Sequence, residues 1–157
     1  MLARANEGLS LVRQGHAREG LAKIKEALQM DPENLTAHFN YALALRYLGR
    51  FDESIVQLGK VLQVQPDMPA AYYQLGCDYF QKGQFHDAVS SFRRAAGLIP
   101  GAAAVHNGLG VALAKTGDEA AAMAELALAR KLEPKTPLYG KNLECLREAR
   151  PGCVLAP

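Results

Sequence analysis

The chain has 157 residues, of which 49% are hydrophobic, with 18 basic and 16 acidic side chains. That charge balance leaves no strongly basic face, so nucleic acid is not the expected partner, and no run reaches the roughly 18 consecutive apolar residues of a membrane helix. The three cysteines are too few and too scattered for a disulfide scaffold, and free thiols in a reducing compartment are the expectation.

In chain order, apolar residues at steps of three and four predict helices over 2–14, 17–30, 35–48, 51–64, 69–82, 85–98, 103–116 and 119–132. The clearest stretch runs from Pro69 to Pro100. Tyr72, Leu75, Gly76, Tyr79 and Phe80 share one face of its first helix. Phe85, Ala88, Val89, Phe92, Ala95, Ala96 and Leu98 share one face of its second. Gly83 stands between them, where a left-handed residue ends a helix, and Pro100 stops the second run. Two short helices joined by so tight a turn form an antiparallel hairpin. The second helices carry charge in their middles (Lys23, Lys25, Glu26, Arg93 and Arg94), as a solvated outer wall requires. After Pro134, Thr136 is placed to cap a further helix with Pro137 in its first turn. Leu138, Leu143, Leu146 and Ala149 would be its apolar side, making residues 137–150 a lid. The tail 151–157 is apolar without a period. The start is charged and amphipathic, unlike a signal peptide.

The hairpin is repeated. Gly15, Gly49, Gly83 and Gly117 are spaced by 34, as are Pro32, Pro66, Pro100 and Pro134. Small residues recur at Gly8, Ala42, Gly76 and Gly110, at Gly20, Ser54, Ala88 and Ala122, and at Ala27, Val61, Ala95 and Ala129. Large ones recur at Leu11, Leu45, Tyr79 and Leu113, and at Ile24, Leu58, Phe92 and Leu126. Small residues let helices approach, and large ones fill the space beside them. This pattern resembles the tetratricopeptide repeat family over residues 1–136. Arg4 and Glu7 depart from it, since Tyr41, Leu75 and Leu109 hold the place of Glu7 in later copies. The departure fits either a polar end cap or a piece of a longer array. The resemblance implies an all-α, right-handed α-solenoid of four helix-turn-helix repeats (1–34, 35–68, 69–102 and 103–136), a capping helix over 137–150 and a tail over 151–157.

Catalytic sets are absent from the pattern. The four histidines, His16, His38, His86 and His106, form no HxxxH or HExxH pair, and there is no CxxC, phosphate-binding glycine loop or nucleophile elbow. His38 and His106 are read as packing residues. Acidic pairs such as Asp52-Glu53 and Asp118-Glu119 open second helices, where they complement the helix dipole. The expectation is no enzyme, no cofactor and no metal.

In the family, first helices line a concave face. The resemblance therefore implies a peptide-binding groove formed by Asn6, Leu9, Phe39, Asn40, Leu43, Arg46, Tyr73, Gln74, Cys77, Phe80, Asn107 and Val111. Phe39, Tyr73 and Phe80 would anchor apolar groups. Asn6, Asn40 and Gln74 would bond a ligand backbone, and Arg46 would pair with an acid. The clamp by which some members grip chaperone tails is disfavoured, because its places hold Ala5, Leu9, Asn40, Ala70 and Gln74, and only Asn40 matches. A ladder of asparagines, as in O-linked GlcNAc transferases, would read Asn6, Asn40, Gln74, Gly108 and Asn142, interrupted at Gly108. The expected function is a non-catalytic interaction scaffold, soluble and cytoplasmic, binding a protein, a peptide or a partner helix. The alternatives are a self-assembling homo-oligomer and the interaction arm of a larger enzyme such as a glycosyltransferase.

Overall fold

The structure, a computed structural model, describes residues 2–148 together with 156 and 157. The described residues are helical and contain no strand. The helices are α1 (Leu2–Arg13), α2 (Ala17–Met30), α3 (Leu35–Tyr47), α4 (Phe51–Val64), α5 (Pro69–Gln81), α6 (Phe85–Leu98), α7 (Ala103–Thr116), α8 (Glu119–Leu132) and α9 (Pro137–Glu148). Each odd-numbered helix up to α7 ends in the same turn. Gly15, Gly49, Gly83 and Gly117 all have positive φ, from 73° to 92°. The following residue sends its N–H back into the helix: His16 to Leu11 O, Arg50 to Leu45 O, Gln84 to Tyr79 O and Asp118 to Leu113 O, at 2.8–3.1 Å. This closure satisfies carbonyls that the helix leaves open and needs a residue without a Cβ at the left-handed position. Asn34 and Asp118 cap the helices that follow them, accepting from Ala37 N and Ala121 N.

The chain forms two compact units, residues 1–74 and 75–157. In unit one α1 packs on α2 and α3, α2 on α3, and α3 on α4. Leu9, Val12, Ile24, Tyr41, Ala44 and Leu45 form its core, with Leu21, Leu28, Leu43 and Leu48 against them. Ala5, Ala27 and Ala37 make a second contact of small residues. Each fully buried aliphatic side chain contributes about 1.5–3 kcal/mol. At the α1–α2 crossing Gly8 and Gly20 face each other, and a Cβ on Gly8 would lie 2.6 Å from Gly20 O. Glu7, the residue that fitted the repeat worst, is exposed, and its carboxylate accepts from Lys23 Nζ at 2.7 Å. That hydrogen bond raises the Lys23 pKa. A polar residue is tolerated there because the site stays in water.

In unit two α7 packs on α6, α8 and α9, and α9 on α8. Phe92 is fully buried. Its ring fills the space that a Cβ on Gly76 or on Gly108 would take, at 2.6 Å and 2.7 Å. The helix α9 covers α7 and α8, with Tyr139 against Ala103 and Ala129, and with Leu143 against Val111 and Leu126. This corrects the apolar side expected from sequence: Tyr139 is buried, whereas Leu138 is 37% exposed. Ala149 lies outside the described residues. Thr136 does not cap α9 with its hydroxyl, which instead donates to Glu133 Oε2 at 3.1 Å. Of the cysteines, Cys77 is a buried thiol, but Cys145 is disulfide-bonded, against the expectation of free thiols. Cys153 lies outside the described residues.

Tyr139 carries a pH signature. Burial, and secondarily the Glu133 carboxylate, raise its pKa above the ordinary tyrosine value. Below the unfolded-state pKa of about 10, both folded and unfolded chains hold the proton and the group is neutral to stability. Above it the unfolded chain releases the proton first, so stability falls as pH rises toward the folded pKa. Thermal melts from pH 8 to pH 11 are expected to show a steeper loss of Tm for the unaltered chain than for Tyr139→Phe. Parallel curves would exclude the effect.

Candidate functional site

Both units carry the same arrangement on their leading helices, a hydrogen bond between two asparagine side chains. In unit one Asn40 Nδ2 on α3 donates to Asn6 Oδ1 on α1 at 2.6 Å. In unit two Asn142 Nδ2 on α9 donates to Asn107 Oδ1 on α7 at 2.7 Å. The row expected from the period placed Gly108 in this position. The amide comes instead from the preceding residue, and the cause is steric: Phe92 occupies the space where a side chain at 108 would begin. Asn107 was among the groove residues expected from sequence, but its pairing with Asn142 was not foreseen. The available signal was an Asn directly before the interruption.

An amide carries two donors and an acceptor with two lone pairs, so one bond between two asparagines leaves groups for a third party. In unit two that third party is present. Asn107 Nδ2 and Asn142 Nδ2 both donate to the carbonyl oxygen of Ala156, at 3.0 Å and 2.8 Å. Ala156 N–H donates in turn to Asn142 Oδ1 at 3.4 Å. Asn107 and Asn142 are only 1% and 2% exposed. In unit one Asn40 is buried but Asn6 is exposed.

The other residues expected in the groove divide. Leu9 is a core residue of unit one, packed with Val12 and Ile24, and Leu43 packs partly against the same cluster. Cys77 is 2% exposed and Val111 is fully buried. Phe80 packs on the Val111–Leu126–Leu143 cluster and meets Phe85 edge to face, ring centroids 5.2 Å apart. Leu9, Cys77 and Val111 therefore offer no surface to a ligand as they stand. The periodicity placed them on the inner face, but that face and the core stripe overlap where one leading helix packs on the next. Phe39, Arg46, Tyr73 and Gln74 are half-buried and keep surface. Arg46, Gln74 and Leu43 line a hollow of about 220 Å³ in unit one together with Arg13 and Tyr47. The Tyr47 hydroxyl donates to Arg13 O at 3.4 Å.

The histidines do structural work. His38 is buried, with Nδ1 2.8 Å from Gln57 Oε1 and Nε2 2.8 Å from Pro32 O. His106 repeats this, with Glu125 Oε2 at 2.6 Å and Pro100 O at 2.8 Å. Each ring ties a leading helix to its partner and to the proline carbonyl that ends the preceding hairpin. Among the described residues no group of three His, Cys, Asp or Glu side chains could hold a metal ion. No described helix is long and apolar enough to cross a membrane.

Helical hairpins closed by one recurring turn, with paired amides on successive leading helices, define a helical-repeat protein. The chain belongs to the tetratricopeptide repeat family, whose profile matches residues 6–71 and 73–137. Among solved structures it is similar to MamA from Desulfovibrio magneticus RS-1, with a TM-score of 0.85 and 21% identity over 92% of this chain and 81% of that one. Another MamA crystal structure gives a TM-score of 0.83 at 20% identity, over 90% of this chain and 83% of the other. A structure from the functional characterization of Pseudomonas aeruginosa pilF gives 0.84 at 17% identity, over 94% and 67%. At these identities the likeness concerns the fold. Comparison with curated proteins returns no match in sequence.

Proposed function

We propose that the chain is a non-catalytic binding module that holds an extended segment of a partner protein on the leading helices of its repeats. The observation that carries this reading is the amide pair, present in both units at 2.6 Å and 2.7 Å. Paired side-chain amides suit a peptide backbone, which offers one donor and one acceptor per residue. Phe39 and Tyr73 supply apolar anchorage beside the unit-one pair. The hollow lined by Arg13 and Arg46 suits a carboxylate of the partner. The buried His38 and His106 serve the fold, each held at both ring nitrogens by structural partners. A protein partner is favoured over nucleic acid because 18 basic side chains are matched by 16 acidic ones.

Phe39→Ala combined with Tyr73→Ala is expected to leave the helical circular dichroism unchanged, because both side chains are only half-buried. The same double variant should lower capture of the partner by about tenfold or more, the size expected for losing two aromatic anchors. Retained capture with both changes in place would remove this site from consideration.

A further inference from the structure

We propose that the C-terminal end of the chain is an internal ligand of its own second unit, held in the manner of a partner's backbone, and that an incoming extended peptide must displace it. The inference rests on the reading of the amide row as a backbone-binding device. Its occupant is the chain's own Ala156, docked in cis.

The geometry is that of peptide recognition rather than of chance contact. Ala156 presents its carbonyl to two amide N–H groups, from Asn107 and Asn142, and its N–H to the oxygen of Asn142. One asparagine thus reads both backbone groups of one residue, and its neighbour reinforces the acceptor. Every one of these bonds goes to main chain, so the pair selects extended backbone and tolerates varied side chains. The residue in the clip is an alanine followed by Pro157. The segment is joined to the pair's own unit, so its effective concentration exceeds that of a free peptide of equal affinity. The two units supply an internal comparison: where Ala156 is bound, both amides are sealed from water, and in unit one Asn6 is exposed.

Amide hydrogen exchange on the full chain by NMR tests the docking directly. The Ala156 N–H should exchange at least about tenfold more slowly than in a free peptide of the tail sequence. Ala156→Pro replaces that donor by a ring carbon directed at Asn142 Oδ1, only 3.4 Å from the nitrogen, and lies outside every helix, so it should expel residue 156 from the amide pair without disturbing α7 or α9. Asn142→Ala should release it from the other side. A synthetic peptide of residues 151–157 carrying Cys153→Ser is then titrated into both proteins. It should bind the Ala156→Pro chain about tenfold or more tightly than the unaltered chain, because the apparent Kd is the intrinsic Kd divided by the fraction of sites left open. Light scattering across concentration should show a monomer mass for both.

An Ala156 amide that exchanges as in the free peptide overturns the docking. It leaves the partner reading, tested at Phe39 and Tyr73 in the other unit, standing. A protected amide with no gain in peptide binding by the Ala156→Pro chain overturns the displacement and counts against backbone recognition by the amide row. A mass that rises with concentration and is abolished by Ala156→Pro assigns the tail to a second copy and overturns docking in cis.

Discussion

Gly76→Ala is expected to destabilise unit two by about 2 kcal/mol, and Phe92→Leu in the same chain is expected to recover most of that loss. A methyl at 76 would sit 2.6–2.8 Å from three atoms of the Phe92 ring. The ring is hemmed in on another side as well, since it already fills the space beside Gly108, where an added Cβ would lie 2.7 Å from it. Overpacking of this kind costs about 1–3 kcal/mol, against a helix-propensity gain of at most about 1 kcal/mol for replacing glycine by alanine. The rescue is read from the repeats themselves. Ala42 stands at the position of Gly76 and is paired in register with Leu58, where Phe92 stands in the third copy. Ala42 and Leu58 are both fully buried, so alanine and leucine coexist at this crossing. Phe92→Leu alone should cost about 1–2 kcal/mol for the lost ring volume. Urea midpoints of the four proteins give the coupling between the two sites. Losses that simply add would show that the ring and the glycine are not complementary.

That pair also shows what the sequence could and could not reveal. The repeat length, the closing glycines and the hairpin order follow from local rules acting within about 34 residues, and the observed helices begin where the apolar period begins. Phe92 was legible as a core residue because it shares a register with Ile24, Leu58 and Leu126. That its bulk would displace the amide from 108 to 107 was not legible, since this depends on which side chain wins a space shared by three helices. The candidate site divided for the same reason. Asn6 and Asn40 were found by their spacing of 34 and do bond to each other. Leu9, Cys77 and Val111 have the same inward register, yet they are buried. Helical period assigns a residue to a face but does not say which of two neighbours that face meets. The clip on Ala156 was beyond reach, because a tail without periodicity carries no signal of where it docks.

Gly20→Ala is the counterpart in unit one, and here no rescue is expected. The atom nearest a Cβ at 20 is the carbonyl oxygen of Gly8, with Val12 Cγ2 at 2.7 Å and Val12 N at 2.9 Å. Two of these three belong to the backbone of α1, which is held by its own helical bonds and cannot rotate aside. Trimming Val12 to alanine therefore removes only one of the three obstacles, and Gly20→Ala with Val12→Ala should be no more stable than Gly20→Ala. The expected loss for Gly20→Ala is about 2–3 kcal/mol, the cost of forcing the hairpin open. Gly8→Ala meets the reciprocal obstacle, Gly20 O at 2.6 Å, together with Ile24 Cγ1 at the same distance, and should lose a similar amount. Once one methyl has parted the helices, the second meets less resistance, so Gly8→Ala with Gly20→Ala should lose clearly less than the sum of the two. The later copies show where the hairpin would come to rest: Ala42 faces Ser54, Gly76 faces Ala88 and Gly110 faces Ala122, each crossing holding at least one side chain. Denaturant midpoints for the two single variants and the double decide the matter. Full additivity would mean that each methyl is absorbed locally and that the first hairpin is not closed by its glycine pair.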